Sequence, residues 1–207
     1  MVRRFLELPQ LFMYWLLWRL SERRQIRGFQ IGTVGLEAEQ RNIVLGKLDT
    51  ALATIATNDP RRFRRIQLDV PRLLVSGSQV LHLGRWHERL RMCQLAEDWI
   101  LKPSTSATSI ASTIVHEATH ARLSLVPYDE KYSHRVERAC YQQEEVFAAR
   151  LPDGAHLVAQ ARRAQQLPDT FYSKDNRRAR TIDAMRALGW PTWLVRALRV
   201  LFRVGAA

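Results

Sequence analysis

Apolar residues recur at three- and four-residue intervals in several segments of the chain, which is the spacing of an amphipathic helix. The first segment covers 36–57, and the Asn-Asp-Pro sequence at 58–60 ends it. The second covers 107–125, between a Pro-Ser-Thr start signal at 103–105 and Pro127. The same spacing predicts four further helices: 134–150 with Ser133 as its N-cap, 155–167, 177–188 and 192–203.

Between the first two helices the apolar spacing changes to two, which favours strands. Ile66, Leu68 and Val70 alternate with polar residues, and short apolar runs follow at 73–75 and 80–83. With a further strand at 90–95, the pattern predicts three or four antiparallel strands. An α+β protein is therefore expected, with a helix, a small antiparallel sheet and then a series of helices.

The chain length suits one domain with distinctive ends. We expect an aromatic and basic N-terminal segment at 1–30 and a core at 31–155. The helices at 156–207 are expected to complete the same domain.

The helix predicted at 107–125 carries the sequence HEATH at 116–120, which matches the HExxH pattern. His116 and His120 are four residues apart, so both side chains project from one face and can bind one metal ion. Glu117 is turned by about 100° from His116, which lets it reach an attacking water rather than the metal. Zinc suits this set because it binds histidine tetrahedrally and activates water for hydrolysis. The pattern predicts a zinc centre with Glu117 as the general base.

The place of the two histidines on their helix favours a functional site. The apolar stripe lies on the opposite face, so Ser109, Thr113, His116 and His120 form a polar face that is expected to line a cleft. Three other histidines have no partner at ligand spacing and are expected in ordinary surface or core positions: His82, His87 and His156.

A catalytic zinc site needs a third protein ligand, and the helix at 134–150 offers three glutamates. Glu137 and Glu144 flank its buried stripe on the same side, whereas Glu145 is expected to point toward solvent. Because Glu137 and Glu144 lie about 10 Å apart along the helix axis, we expect one to bind the ion and the other to support it.

The segments TSIASTIVHEATHARL and RVERACYQQEEVFAARL resemble the gluzincin branch of HExxH zinc metallopeptidases over residues 104–151. The resemblance implies a third zinc ligand on the helix after the HExxH helix, which maps onto Glu137, with Glu144 as the alternative. In that family an acidic residue that orients a histidine often lies one turn after the ligand. Here that position holds Tyr141, a departure from the pattern.

The resemblance also implies two features around the metal. A strand beside the HExxH helix would bind an extended peptide along its edge, and the strand predicted at 90–95 is the candidate. A tyrosine or histidine would stabilise the developing oxyanion, and three candidates lie between the two metal-binding helices: Tyr128, Tyr132 and His134.

Composition narrows the remaining possibilities. The chain has 207 residues, 46% of them hydrophobic, and can form a core without disulfides. Its two cysteines form no metal-binding pattern, and Cys140 is interpreted as a small buried hydrophobic residue. The apolar stretch at 11–18 is too short to cross a bilayer, and no signal cleavage site follows it, so the cytoplasm is the expected compartment.

The net charge of +12 comes mainly from arginine and favours acidic partners. Arginines and aromatic residues are combined at both ends of the chain, in the first 24 residues and at 190–203, so the terminal helices are candidates for peripheral contact with an anionic membrane. Arginines at 177–186 lack an aromatic platform, so no specific nucleic acid is expected. The sequence favours a zinc metallopeptidase acting on a peptide or protein. The alternative is a basic membrane-surface or nucleic-acid adaptor whose zinc site is structural or absent.

Overall fold

The computed structural model describes residues 3–77, 82–124, 132–187, 189–193, 195 and 196, with the backbone alone at 3–10 and 174. Its strands are β1 (Glu22–Ile26), β2 (Phe29–Thr33), β3 (Arg72–Ser76), β4 (Gly84–His87) and β5 (Met92–Ala96). Its main helices are α1 (Arg3–Leu20), α2 (Ala38–Asn58), α3 (Pro60–Asp69), α4 (Glu97–Leu101), α5 (Ala107–Leu123), α6 (Ser133–Ala148), α7 (Ala155–Gln165) and α8 (Lys174–Ala187). None of these described helices combines the length and the apolar character needed to cross a membrane.

The five strands form one sheet in the order β1-β2-β3-β5-β4. The predicted α+β class is confirmed. The sheet, however, is mixed and not antiparallel as predicted, because β3 runs parallel to both β2 and β5. Helices α2 and α3 connect β2 to β3 and return the chain to the same end of the sheet, which makes this pair parallel. Only the outer pairs, β1 with β2 and β4 with β5, are antiparallel.

The two faces of the sheet are covered by different helices. On one face, Leu73 and Cys93 belong to the main core, together with residues of α2 and α5. On the other face, Leu74 and Met92 pack against Tyr14 and Trp18 of α1. The main core and the HExxH helix therefore lie on the side of the sheet opposite α1.

The segment 66–70 is helical, so the predicted strand there is wrong. Asp59 caps α3 by accepting a hydrogen bond from the Arg62 backbone N–H at 3.1 Å, and Pro60 occupies the first turn. Ile66 is buried whereas Leu68 is exposed, so their alternation with polar residues does not reflect a sheet face. These strong local start signals outweigh the short alternating pattern.

A hairpin of β1 and β2 lies at 22–33, where the sequence predicted no strand. Arg27 and Gly28 form its two-residue loop with φ of 47° and 87°. Both values lie in the left-handed region, as a type I′ hairpin turn requires. Every residue of β1 except Ile26 is exposed, so the strand has no alternating apolar pattern that a sequence reading could detect.

The predicted helices are otherwise found close to their expected positions. The helix at 36–57 is α2, and those at 155–167 and 177–188 are α7 and α8. α6 begins at Ser133, but Tyr132 is its N-cap, and the Ser133 hydroxyl donates to the Tyr172 carbonyl at 3.1 Å. Three predictions lie wholly or partly outside the described residues: the strand at 80–83, the helix end at Pro127 and the helix at 192–203.

A buried polar chain crosses the sheet on the α1 side. His87 Nε2 donates to Gln94 Oε1 at 3.0 Å, and the Gln94 amide donates to the Ser76 hydroxyl at 2.7 Å. The Tyr14 ring covers His87 with its centroid 4.1 Å away. Burial lowers the pKa of His87 to about 4, although its contact with Gln94 acts in the opposite direction.

This shift predicts a pH dependence of stability. The unfolded chain binds a proton at His87 below about pH 6.5, whereas the folded chain binds it only near pH 4. The free energy of unfolding should therefore fall as the pH is lowered from about 6.5 to about 4, by on the order of 3 kcal/mol. Urea unfolding of His87→Gln should show a smaller fall over this range than wild type, and the exposed-site control His156→Gln should match wild type. Equal pH dependence in His87→Gln and wild type would contradict this role for His87.

Candidate metal centre

The HExxH sequence lies in the second half of α5, a helix that is enclosed around most of its circumference. Ser106 caps the helix by accepting a hydrogen bond from the Ser109 backbone N–H at 3.1 Å. His116 and His120 follow one turn apart with ring centroids separated by 5.1 Å. His116 is buried while His120 is partly exposed, so the pair reaches from the core toward the surface.

Glu137 on α6 faces both histidines. Its Oε2 atom lies 3.6 Å from His116 Nε2 and 3.7 Å from His120 Nε2. Ligand atoms that share a tetrahedral zinc ion at bond lengths of about 2.0–2.2 Å are about 3.3–3.5 Å apart. The two measured separations are close to this value and nearly equal. Glu137 Oε2 is therefore at ligand spacing from each of the two histidines.

Glu144 contacts the opposite side of the His116 ring. Its Oε2 atom lies 3.1 Å from His116 Nδ1, and its Oε1 atom accepts a hydrogen bond from the Ser112 hydroxyl at 3.0 Å. A neutral histidine that donates its Nδ1 proton to this carboxylate keeps the Nε2 lone pair free for a metal. The structure thus places Glu137 and Glu144 on different ring nitrogens of His116.

The charges around His116 are strongly coupled. Burial alone would lower the pKa of His116, but Glu137, Glu144 and Glu117 outweigh it and raise this pKa to about 10. Burial opposes ionisation of Glu137, but contacts with His116 and His120 outweigh it and hold the Glu137 pKa well below its usual range. Without a metal, the cluster therefore holds a proton between carboxylates. A divalent cation can take the place of that proton.

Cys140 also belongs to this cluster, a placement that sequence reasoning missed. Its Sγ atom and one nitrogen each of His116 and His120 all lie within 4.8 Å of one another. Burial and the charges of the nearby glutamates raise the pKa of the Cys140 thiol, so it stays neutral. The sequence feature that could have indicated this placement is the position of Cys140 three residues after Glu137, which puts both side chains on the same side of α6.

Glu117 is buried beside the first residue of β4. A Cβ atom added to Gly84 would lie 2.8 Å from Glu117 Cγ and from Thr113 Cγ2. Glycine is therefore required here by the close approach of β4 to α5. The lack of a side chain at Gly84 leaves the space that the Glu117 side chain occupies.

The edge strand beside α5 is β4, which corrects the prediction that the strand at 90–95 has a free edge. β5 lies between β3 and β4, so both of its edges are paired. Directly before β4, the Leu83 carbonyl accepts a hydrogen bond from the Ala96 N–H at 3.0 Å. Successive residues of a strand direct their backbone N–H and C=O groups alternately toward and away from the partner strand. Those of Gly84 and Trp86 therefore point away from β5.

The remaining predicted site residues lie in other surroundings. Tyr132 is exposed and stacks with Arg135, and His134 Nε2 lies 3.4 Å from Asp169 Oδ2. Tyr141 packs edge-on against the His116 ring at 4.6 Å between centroids. Tyr128 lies outside the described residues. Glu145 pairs with Arg162 of α7 at 2.7 Å, and so joins the two helices.

Comparison of this chain with protein-family models, curated proteins and solved structures finds no match. The functional argument therefore depends on the geometry of the cluster.

Proposed function

We propose that this protein is a zinc-dependent hydrolase, and within that class a metallopeptidase. The observation that carries the proposal is the near-equal spacing of Glu137 Oε2 from the Nε2 atoms of His116 and His120, with Glu117 in the same helix. His116, His120 and Glu137 would hold the ion and leave a fourth position for water or substrate. The resemblance of the sequence to gluzincins points to the same three residues.

Each side chain has a distinct part in the proposed reaction. Zinc would supply Lewis acidity and lower the pKa of the attacking water. Glu117 would accept the proton of that water and later transfer it to the leaving amine nitrogen. Glu144 would hold the His116 ring in the orientation that presents Nε2, and the Ser112 hydroxyl fixes that carboxylate in turn.

The edge of β4 supports a peptide as the substrate. Gly84 and Trp86 direct backbone donors and acceptors away from β5, where an extended peptide could add as a further strand. Gly84 also contacts the space around Glu117. A peptide on this edge would therefore run past the proposed general base. We further propose that the protein acts in the cytoplasm.

The direct test is hydrolysis of fluorescein-labelled, denatured casein by the purified full chain. We expect cleavage with zinc present, loss of cleavage after treatment with 1,10-phenanthroline, and recovery when zinc is restored. Cleavage that persists after the metal is removed would contradict a zinc-dependent mechanism. Stoichiometric zinc binding without cleavage of casein or a mixed peptide library would contradict the peptidase assignment.

A second candidate is a structural zinc site, and Cys140 is the observation that favours it. A cysteine close to both histidines could supply a fourth ligand and close the site to substrate. The spacing of Glu137 from both histidines opposes this candidate, because Glu137 already supplies a third ligand and leaves the fourth position open. Cobalt substitution separates the two, since a coordinated thiolate gives a charge-transfer absorption that disappears in Cys140→Ser. We expect no such absorption.

A further inference from the structure

Helix α1 is apolar on two opposite faces, although only one of them packs against the protein. Tyr14 and Trp18 are buried against Leu74 and Met92 of the sheet. Most of the remaining circumference carries large apolar side chains that are exposed: Phe12, Met13, Trp15, Leu16 and Leu20. At 3.6 residues per turn these five side chains lie within an arc of about 160°, centred nearly opposite Tyr14 and Trp18.

This outer face is too apolar to be an ordinary solvent-facing helix surface. Phe12 is 62% exposed and Leu20 is 70% exposed, and the other three residues connect them into one continuous stripe. Single exposed apolar residues are common, but a contiguous stripe on one helix marks an interaction surface. No segment within the described part of the chain covers it.

The charges beside the stripe select the partner. Arg19 and Arg23 are exposed where α1 leads into β1. Arg23 is in register with Gly32, over which α1 passes, so it lies on the α1 side of the sheet. Glu22, the acidic residue next to them, is 2.6 Å from Arg41 and so already paired. The apolar stripe thus ends beside two exposed positive charges, Arg19 and Arg23.

We propose that the outer face of α1 docks on the surface of an anionic phospholipid bilayer. The large apolar side chains would enter the boundary between headgroups and acyl chains, while the arginines would contact lipid phosphates. Trp15 suits this boundary, and the Arg19 guanidinium lies 5.5 Å from its ring centroid. An apolar stripe next to cationic groups fits a lipid interface better than nucleic acid, which offers phosphates without an apolar layer.

Docking through α1 would leave the metal cluster facing away from the membrane. α1 covers the sheet face that carries Leu74 and Met92, whereas α5 packs on the face that carries Leu73 and Cys93. The protein could therefore bind a membrane and a peptide at once. The proposal is independent of the zinc chemistry, because no residue of the docking face belongs to the metal cluster.

The test is co-sedimentation of the full chain with vesicles of equal parts phosphatidylcholine and phosphatidylglycerol. The double variant Phe12→Gln with Leu16→Gln removes apolar area but keeps helix-forming residues. We expect about a tenfold or greater loss of vesicle affinity for this variant. A similar loss is expected for Arg19→Glu with Arg23→Glu. The matched control is Leu68→Gln, which changes an exposed leucine on α3 and should bind like wild type.

Further outcomes decide between partners. Binding that weakens with added salt and falls strongly on pure phosphatidylcholine vesicles would support an anionic bilayer. Wild type that does not bind anionic vesicles at low salt would overturn the proposal, as would equal binding by wild type and the Phe12→Gln, Leu16→Gln variant. Self-association in sedimentation equilibrium that this variant abolishes, without vesicle binding, would assign the face to a second copy of the chain instead.

Discussion

Replacement of Glu117 by glutamine should reduce the rate of casein hydrolysis by about 10²–10⁴-fold and leave zinc binding unchanged. The amide has nearly the same shape as the carboxylate but cannot accept the proton of the attacking water. Glu117 is buried next to Gly84, where glutamine fits without displacing β4. The expected loss therefore falls on kcat and not on the fold.

The kinetic comparison needs a matched control. Glu39→Gln changes an exposed glutamate in the first turn of α2, far from the cluster in sequence, and should retain wild-type turnover. Thermal unfolding and zinc content of Glu117→Gln should also match wild type. Full activity in a correctly folded, zinc-loaded Glu117→Gln protein would contradict Glu117 as the general base.

The three glutamates of α6 should differ sharply in their effect on zinc affinity. Glu137→Gln removes a charged oxygen that faces both histidines, so we expect at least about a 100-fold weaker affinity and loss of zinc on dialysis. Glu144→Gln removes the charge beside His116 Nδ1 but keeps an acceptor oxygen, which should weaken binding by about 10–100-fold. Glu145→Gln affects only the contact with α7 and should bind zinc like wild type.

Competition with a chromophoric chelator measures these affinities on one scale. Cys140→Ser belongs in the same series and is expected to keep wild-type affinity, because the proposed ligands are His116, His120 and Glu137. Loss of zinc in Cys140→Ser with retention in Glu137→Gln would move the third ligand from Glu137 to Cys140. Loss in Glu144→Gln with retention in Glu137→Gln would exchange the proposed roles of the two glutamates.

Helices with a strong amphipathic period could be predicted from sequence. α2 buries a regular stripe, whereas α5 is buried around most of its circumference, and a capping residue directly precedes each helix. α3 differs because three of its four arginines are exposed and only Ile66 is buried, so its short pattern imitates a strand. The sheet order also depends on long connections, and the parallel pairing of β3 has no signature within the strand itself.

The candidate site likewise has one part that the sequence predicts and another that it does not. Spacing within α5 is local, so the relation of His116, Glu117 and His120 follows from helix geometry alone. Which glutamate faces the histidines depends on the rotation and height of α6 against α5, which packing decides. The resemblance to gluzincins implied Glu137 as the third ligand. The distances from Glu137 Oε2 to the Nε2 atoms of His116 and His120 support that assignment. Cys140 was missed because a lone buried cysteine is ordinarily a core residue.

The most direct test of the central claim is the metal content of purified wild-type protein, measured by elemental analysis after thorough dialysis. We predict about one zinc ion per chain, lost in His120→Ala. Wild-type protein that contains no zinc and takes up none when zinc is added would contradict the proposed metal centre.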